Sequence, residues 1–231
     1  MVSLMSSWLD DLPAESFFRT SDVPARSRGA VRTFLSREVS KTSPRVMKAA
    51  ANLYWKPGPP NSITGRACPP GFSEVGWEVA GEHAAALGWY GANIVGWSDQ
   101  VALQYLEFAV PGEPPSRHPH PRVTIRSRRN LARQLLTRLE ATYLEAVVGF
   151  DVNCEIDWDD AVHETRFRLR RSFRNGQSLP RAAVLGRVAA QEQPRRNGEL
   201  FRSRIGDLVA AMAEAEQHAA TQRHTPATAA A

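Results

Sequence analysis

The chain has 231 residues, 42% of them hydrophobic and 23% charged, a balance that supports a globular core in one or two domains. No run of about 18 apolar residues occurs, which excludes a membrane-spanning helix. The first residues lack the charged-then-apolar layout of a secretory signal, since Asp10, Asp11 and Pro13 follow Trp8. Cys68 and Cys154 are too few for a disulfide framework or a Cys-based zinc site, so a cytoplasmic location is expected.

The net charge is +5, but its distribution says more than its sum. Between Arg26 and Lys56 stand eight basic residues (Arg26, Arg28, Arg32, Arg37, Lys41, Arg45, Lys48, Lys56) against one acid, Glu38. A basic run within a patterned segment is the electrostatic footprint of a phosphate-contacting surface, although a solvated face has the same composition.

In chain order, Leu4, Trp8, Leu9 and Leu12 recur at helical spacing and Pro13 stops that element. Thr20 or Ser21 is placed to cap a second short helix, broken by Pro24. Ser27 is a cap for a third, from Arg28 to about Val39. Val31, Phe34, Leu35, Glu38 and Val39 share its inner face. Gly29, Thr33, Ser36 and Ser40 share the outer one, flanked by Arg32 and Arg37. Arg45–Met47 and Asn52–Trp55 then read as two short strands of a hairpin, or wing. Three helices and a wing predict a winged helix-turn-helix over residues 1–58.

Lys56-Pro57-Gly58-Pro59-Pro60 and Pro69-Pro70-Gly71 bracket a loop and mark a domain boundary. A mixed α/β domain is expected over residues 70–216, making the whole an α+β fold. It opens with a helical pattern through Val75 and Val79 that ends at Gly81. A small-residue helix carrying Ala84, Leu87, Ile94 and Val95 follows. Strands are expected at Leu103–Val110 and Val123–Arg126. A helix from Leu131 to Val148 has Leu135, Leu139, Leu144 and Val148 as its core stripe. Further helices are expected from about Asp157, near Arg181–Ala190 and over Glu199–Gln217, with residues 217–231 as a disordered tail.

Catalytic signatures are scarce. Gly88-Trp89-Tyr90-Gly91 lacks the earlier glycine of a dinucleotide loop, and no Walker-type lysine or serine nucleophile elbow occurs. His118 and His120 form a His-Pro-His link without a carboxylate or Cys at ligand spacing, and Glu82-His83 lacks the second zincin histidine. Asp151, Glu155, Asp157, Asp159, Asp160 and Glu164 form an acidic run of the kind that binds Mg²⁺. They also suit a helix start that faces Arg166, Arg168, Arg170 and Arg171. No catalytic residue, metal or cofactor is assigned.

The candidate recognition helix supplies what DNA reading requires, namely an N-capped helix offering Arg forks and small polar groups. Arg32, Thr33, Ser36 and Arg37 are expected to face the major groove. Arg28 and the wing residues Arg45 and Lys48 are expected to hold phosphates. The rival readings are a protein-interaction module with a degenerate winged helix and a metal-dependent nucleic-acid enzyme using the acidic run.

Phe17–Val23, Ser27–Arg37 with its Leu-Ser-Arg ending, and Leu53-Tyr54-Trp55 resemble the N-terminal winged helix of AbiEi-type antitoxins and related transcriptional regulators. Ala84–Trp89, Gly96–Val101, Val110-Pro111-Gly112 and the Leu139–Glu145 helix extend the resemblance over about residues 5–212. Asn52 stands where that family has Gly in the wing, and Asp99 and Ala102 stand for its Thr and Pro. The resemblance implies binding of double-stranded DNA at the chain's own operator, autorepression, and antagonism of a nucleotidyltransferase-like toxin.

Overall fold

The computed structural model describes residues 4–25, 27–101, 104–114, 120–193 and 197–224. Arg26, Ala102, Leu103 and His118 lie outside them. The chain folds as two compact units, Met1–Gly81 with Arg117–Val123, and Glu82–Ser116 with Thr124–Ala231. No described helix is long and apolar enough to cross a membrane.

In the first unit, α1 (Leu4–Asp11) ends ahead of Pro13 and is closed by Lys56, whose ammonium donates to the carbonyls of Leu9, Asp10 and Leu12. β1 (Ser16–Arg19) is a strand that periodicity does not announce, because its partner is far away in sequence. It pairs antiparallel with β3 (Leu53–Lys56), Phe17 opposite Trp55 and Phe18 opposite Tyr54. Residues 20–23 form a turn and not the expected second helix. The Asp22 carboxylate accepts from the Arg19 amide at 2.7 Å, a local bond that competes with helix formation.

α2 (Arg28–Val39) follows, then β2 (Met47–Ala50), which hairpins onto β3 and gives the sheet order β1-β3-β2. The hairpin turns at Asn52, whose φ of 59° is the left-handed conformation that Asn tolerates best after Gly. Leu9, Phe18, Val23, Val31, Leu35 and Val46 form the core. Trp8 meets Phe18 edge-on at 5.3 Å. After the Pro-rich loop, α3 (Phe72–Ala80) ends at Gly81 as its spacing predicts, and it belongs to this first unit.

The second unit pairs a small sheet with helices. β4 (Ala85–Ala86) and the extended residue Leu87 replace the start of the expected small-residue helix, which begins only at Gly88 as α4 (Gly88–Val95). A Cβ on Gly91 would stand 2.6 Å from the Ala86 carbonyl oxygen, so the glycine permits this tight strand-to-helix turn. The sheet order is β4-β5-β6, with β5 at Leu106–Pro111 and β6 at Val123–Arg128.

The expected helix over 131–148 is two elements, a 3-10 helix (Leu131–Leu135) and α5 (Arg138–Val148). Thr137 starts α5 with a capping box, accepting from the Glu140 amide while Glu140 accepts from its own. That break rotates the leucines off the core. Leu131 is 58% and Leu135 61% exposed, Leu139 and Val148 are exposed too, and only Leu144 of the proposed stripe is buried.

After the single turn α6 (Phe150–Asn153) come α7 (Trp158–Arg174), N-capped by Asp157, then α8 (Ala182–Ala189) and α9 (Gly198–His224). α9 runs beyond the expected start of the tail. The core centres on Trp97, whose indole N–H donates to the Ala161 carbonyl and the Thr165 hydroxyl, both at 3.1 Å. Tyr143, Phe150 and Trp158 meet it edge-on.

Candidate nucleic-acid interface

α2 is set by its own sequence. Ser27 is extended at φ −146° and its hydroxyl accepts from the Ala30 amide at 3.2 Å, a cap worth about 1 kcal/mol. Val31 and Leu35 then recur on the inner face and are buried with Glu38. That burial leaves Arg28, Gly29, Arg32, Thr33, Ser36, Arg37 and Ser40 exposed. The centre of this outer face is small, and a Cβ on Gly29 would meet nothing within 4 Å. Arginines rim it on both sides. A narrow polar centre between guanidinium rims lets a helix approach base edges while its flanks meet phosphates.

The structure divides the basic run into two groups. Arg45 is committed inside the fold: its Nε donates to Glu38 at 2.9 Å, Nη1 to Asp10 at 2.6 Å and Nη2 to Ser6 at 3.0 Å. The phosphate role expected for Arg45 would require it to give up both of these carboxylate partners, so in this arrangement Arg45 braces the fold. Lys41 pairs with Glu38 at 2.6 Å and Lys56 closes α1. Among the described residues, Arg28, Arg32 and Arg37 on α2 and Lys48 on β2 carry no such bond and are exposed. Lys48 stands opposite Tyr54 in the hairpin register.

Glu38 is the organising acid. Its carboxyl is held below the usual carboxylate range by the bond from Arg45, with Lys41 assisting and burial opposing. Arg45 is raised by the same bond. The buried charge is thus paired twice, as a buried carboxylate requires. Sequence reading placed Glu38 on the inner face of α2 without seeing its partners. An acid at a core-facing helical position with bases three and seven residues on was the available signal.

The other sequence candidates are dispersed. Asp151 pairs with Arg204 at 2.6 Å, Asp157 caps α7 and Glu164 pairs with Arg168 at 2.6 Å. Glu155 accepts from Ser98 and Gln100 side chains and from the Asp99 amide, tying the Gly96–Val101 turn to it. Those bonds hold Glu155 below the usual range. Among the described residues no group of three His, Cys, Asp or Glu side chains is placed to hold a metal ion. His120 packs on the Phe72 ring at 5.5 Å and its Nδ1 accepts from the Arg122 amide.

No protein-family model and no curated protein matches the sequence. Among solved structures, the crystal structure of the RV2827C protein from Mycobacterium tuberculosis is similar, with 13% identity and a TM-score of 0.45. The match covers 96% of this chain and 80% of that one.

Proposed function

We propose that residues 1–56 act as a winged-helix DNA-binding module and that the chain is a transcriptional repressor of the antitoxin type. The observation that carries this reading is the outer face of α2. Four cations there and on the hairpin are exposed and, among the described residues, without a hydrogen-bonded partner, while Lys41, Arg45 and Lys56 are engaged by groups of the fold itself. Arg32, Thr33, Ser36 and Arg37 read the major groove, and Arg28 and Lys48 hold phosphates from its edge and from the wing. Autorepression and antagonism of a nucleotidyltransferase-like toxin rest on the resemblance of the Ser27–Arg37, Leu53–Trp55 and Gly96–Val101 motifs to AbiEi-type antitoxins.

Fluorescence anisotropy of the full chain with the duplex upstream of its own gene tests the DNA reading. Binding should weaken steeply as salt rises, since each phosphate contact releases counterions. Absence of binding to that duplex at low salt defeats the repressor assignment. Co-expression with the adjacent reading frame tests the antitoxin part: rescue from that frame's toxicity is expected, and growth unaffected by the frame alone removes it.

A further inference from the structure

α7 changes character along its length. Its first turn carries Asp159 and Asp160, and its second half carries Arg166, Arg168, Arg170, Arg171 and Arg174. Acids first and bases last suit the helix dipole, yet the dipole acts only within the terminal turns and does not account for five arginines. Ala161, Val162, Thr165 and Leu169 are buried and define the inner face. At 3.6 residues per turn the opposite face is centred on Phe167, with Arg170, Arg171 and Arg174 around it toward the C-terminus. Asp160, His163 and Glu164 occupy the same side toward the N-terminus.

The ion pairs leave this face cationic. Glu164 is taken by Arg168 at 2.6 Å, and Glu214 of α9 is shared by Arg166 at 3.0 Å and Arg170 at 2.7 Å. Arg171 and Arg174 are exposed and have no ion pair among the described residues. In their midst Phe167 is 52% exposed. Its flanking positions are charged, so a protein partner finds no apolar patch to bury around it, whereas protein interfaces concentrate apolar area at their core. A nucleic acid offers the two things this face matches, phosphates and a flat π surface. A duplex hides its base faces within the stack, while a single strand bares them.

We infer that the C-terminal half of α7 is a contact surface for single-stranded nucleic acid, with Phe167 stacking on a base and Arg171 and Arg174 holding the backbone. This surface lies in the second unit and does not depend on the reading of α2.

The test uses the full chain carrying Arg32→Ala and Arg37→Ala, so that the α2 face contributes little. Its affinity for short labelled single strands of RNA and DNA is compared with that for the matching duplex over a salt series. Single strands should bind more tightly than duplex, and the RNA and DNA arms show which sugar is preferred. Phe167→Ala should weaken single-strand binding about tenfold and Phe167→Trp should retain it. Arg171→Ala with Arg174→Ala should lower the salt slope by about 1.4. These positions are exposed, so thermal unfolding should be unchanged and serves as the folding control. Equal affinity for duplex and single strand, or no loss in Phe167→Ala, overturns the inference. Displacement by poly-glutamate as readily as by unlabelled oligonucleotide also overturns it, and an acidic protein then becomes the partner.

Discussion

Glu38, buried near the end of α2, accepts a hydrogen bond at 2.9 Å from Nε of Arg45, which lies beyond the turn that leads into β2. The same guanidinium reaches Asp10 on α1, so one arginine ties two helices and the approach to the hairpin together. Removing it should therefore loosen the first unit as a whole. Arg45→Ala is expected to lose about 2 kcal/mol of stability, the scale of a hydrogen bond to a charged group. Urea unfolding measures this. The slope of log affinity for DNA against log salt should stay unchanged, and a fall of about one unit would return Arg45 to the phosphate contacts.

Arg32 and Lys48 separate sequence reading from charge. Arg presents a planar fork able to bond two acceptors on a guanine edge, whereas Lys is a mobile point charge. Arg32→Ala should lose about 1–3 kcal/mol on the operator and much less on scrambled DNA. Lys48→Ala should weaken both DNAs by similar factors and lower the salt slope by about one. Titrations on both DNAs over a salt series decide it. Equal losses for Arg32→Ala on both would place another residue on the bases.

Acid should destabilise the protein through three buried carboxylates. Arg45 holds Glu38 below its ordinary value. Burial pushes Glu140 and Glu145 up, but Arg181 with the Thr137 amide outweighs it at Glu140, and Arg128 with Arg133 at Glu145. A folded pKa below the unfolded one means the unfolded chain takes up protons first as pH falls. The stabilisation is thus complete above the unfolded value of about 4.3 and is lost as pH drops through the folded values. Denaturant unfolding at a series of pH values should show stability falling below about pH 5. Glu140→Gln should flatten that acid limb, and an unchanged limb would mean that Glu140 does not titrate differently on folding.

The acidic residues at the start of α7 have a structural use. Asp157 accepts from the Asp160 amide at 2.9 Å, and Asp159 and Asp160 lie in the first turn, where the helix dipole favours negative charge. Asp159→Asn with Asp160→Asn should leave DNA binding intact and lower stability by under about 1 kcal/mol per residue. Incubation of wild type and variant with Mg²⁺ and labelled DNA is the check. A nuclease activity lost in the variant would make these carboxylates catalytic.

Gly91 offers a packing test. A methyl group there would stand 2.6 Å from the Ala86 carbonyl oxygen, which is backbone and cannot swing aside. Gly91→Ala should destabilise the second unit by about 1–3 kcal/mol, as overpacking does, despite alanine's better helix propensity. A melting temperature at or above wild type would show that the β4–α4 turn relaxes freely.

What the sequence determined by itself was local. The bounds and cap of α2 follow from Ser27 and the spacing of Val31 and Leu35, the hairpin turn from Asn52, the end of α3 from Gly81 and the start of α7 from Asp157. Each rests on forces acting within about one helical turn, which composition and periodicity record directly. The tertiary structure decided what depends on distance through space. β1 exists because β3, more than thirty residues on, lies beside Phe17 and Phe18. Leu131, Leu135 and Leu139 turn outward, while Leu136 stays buried, because Glu140 caps at Thr137 and is anchored by Arg181, forty-one residues away. The candidate interface shows the division most plainly. Charge counting presents eight equivalent cations between Arg26 and Lys56. Glu38, Asp10 and the end of α1 then claim Arg45, Lys41 and Lys56, because a carboxylate or an open carbonyl stands within hydrogen-bond reach of each. Arg28, Arg32, Arg37 and Lys48 are left to the solvent face because no such acceptor stands near them among the described residues.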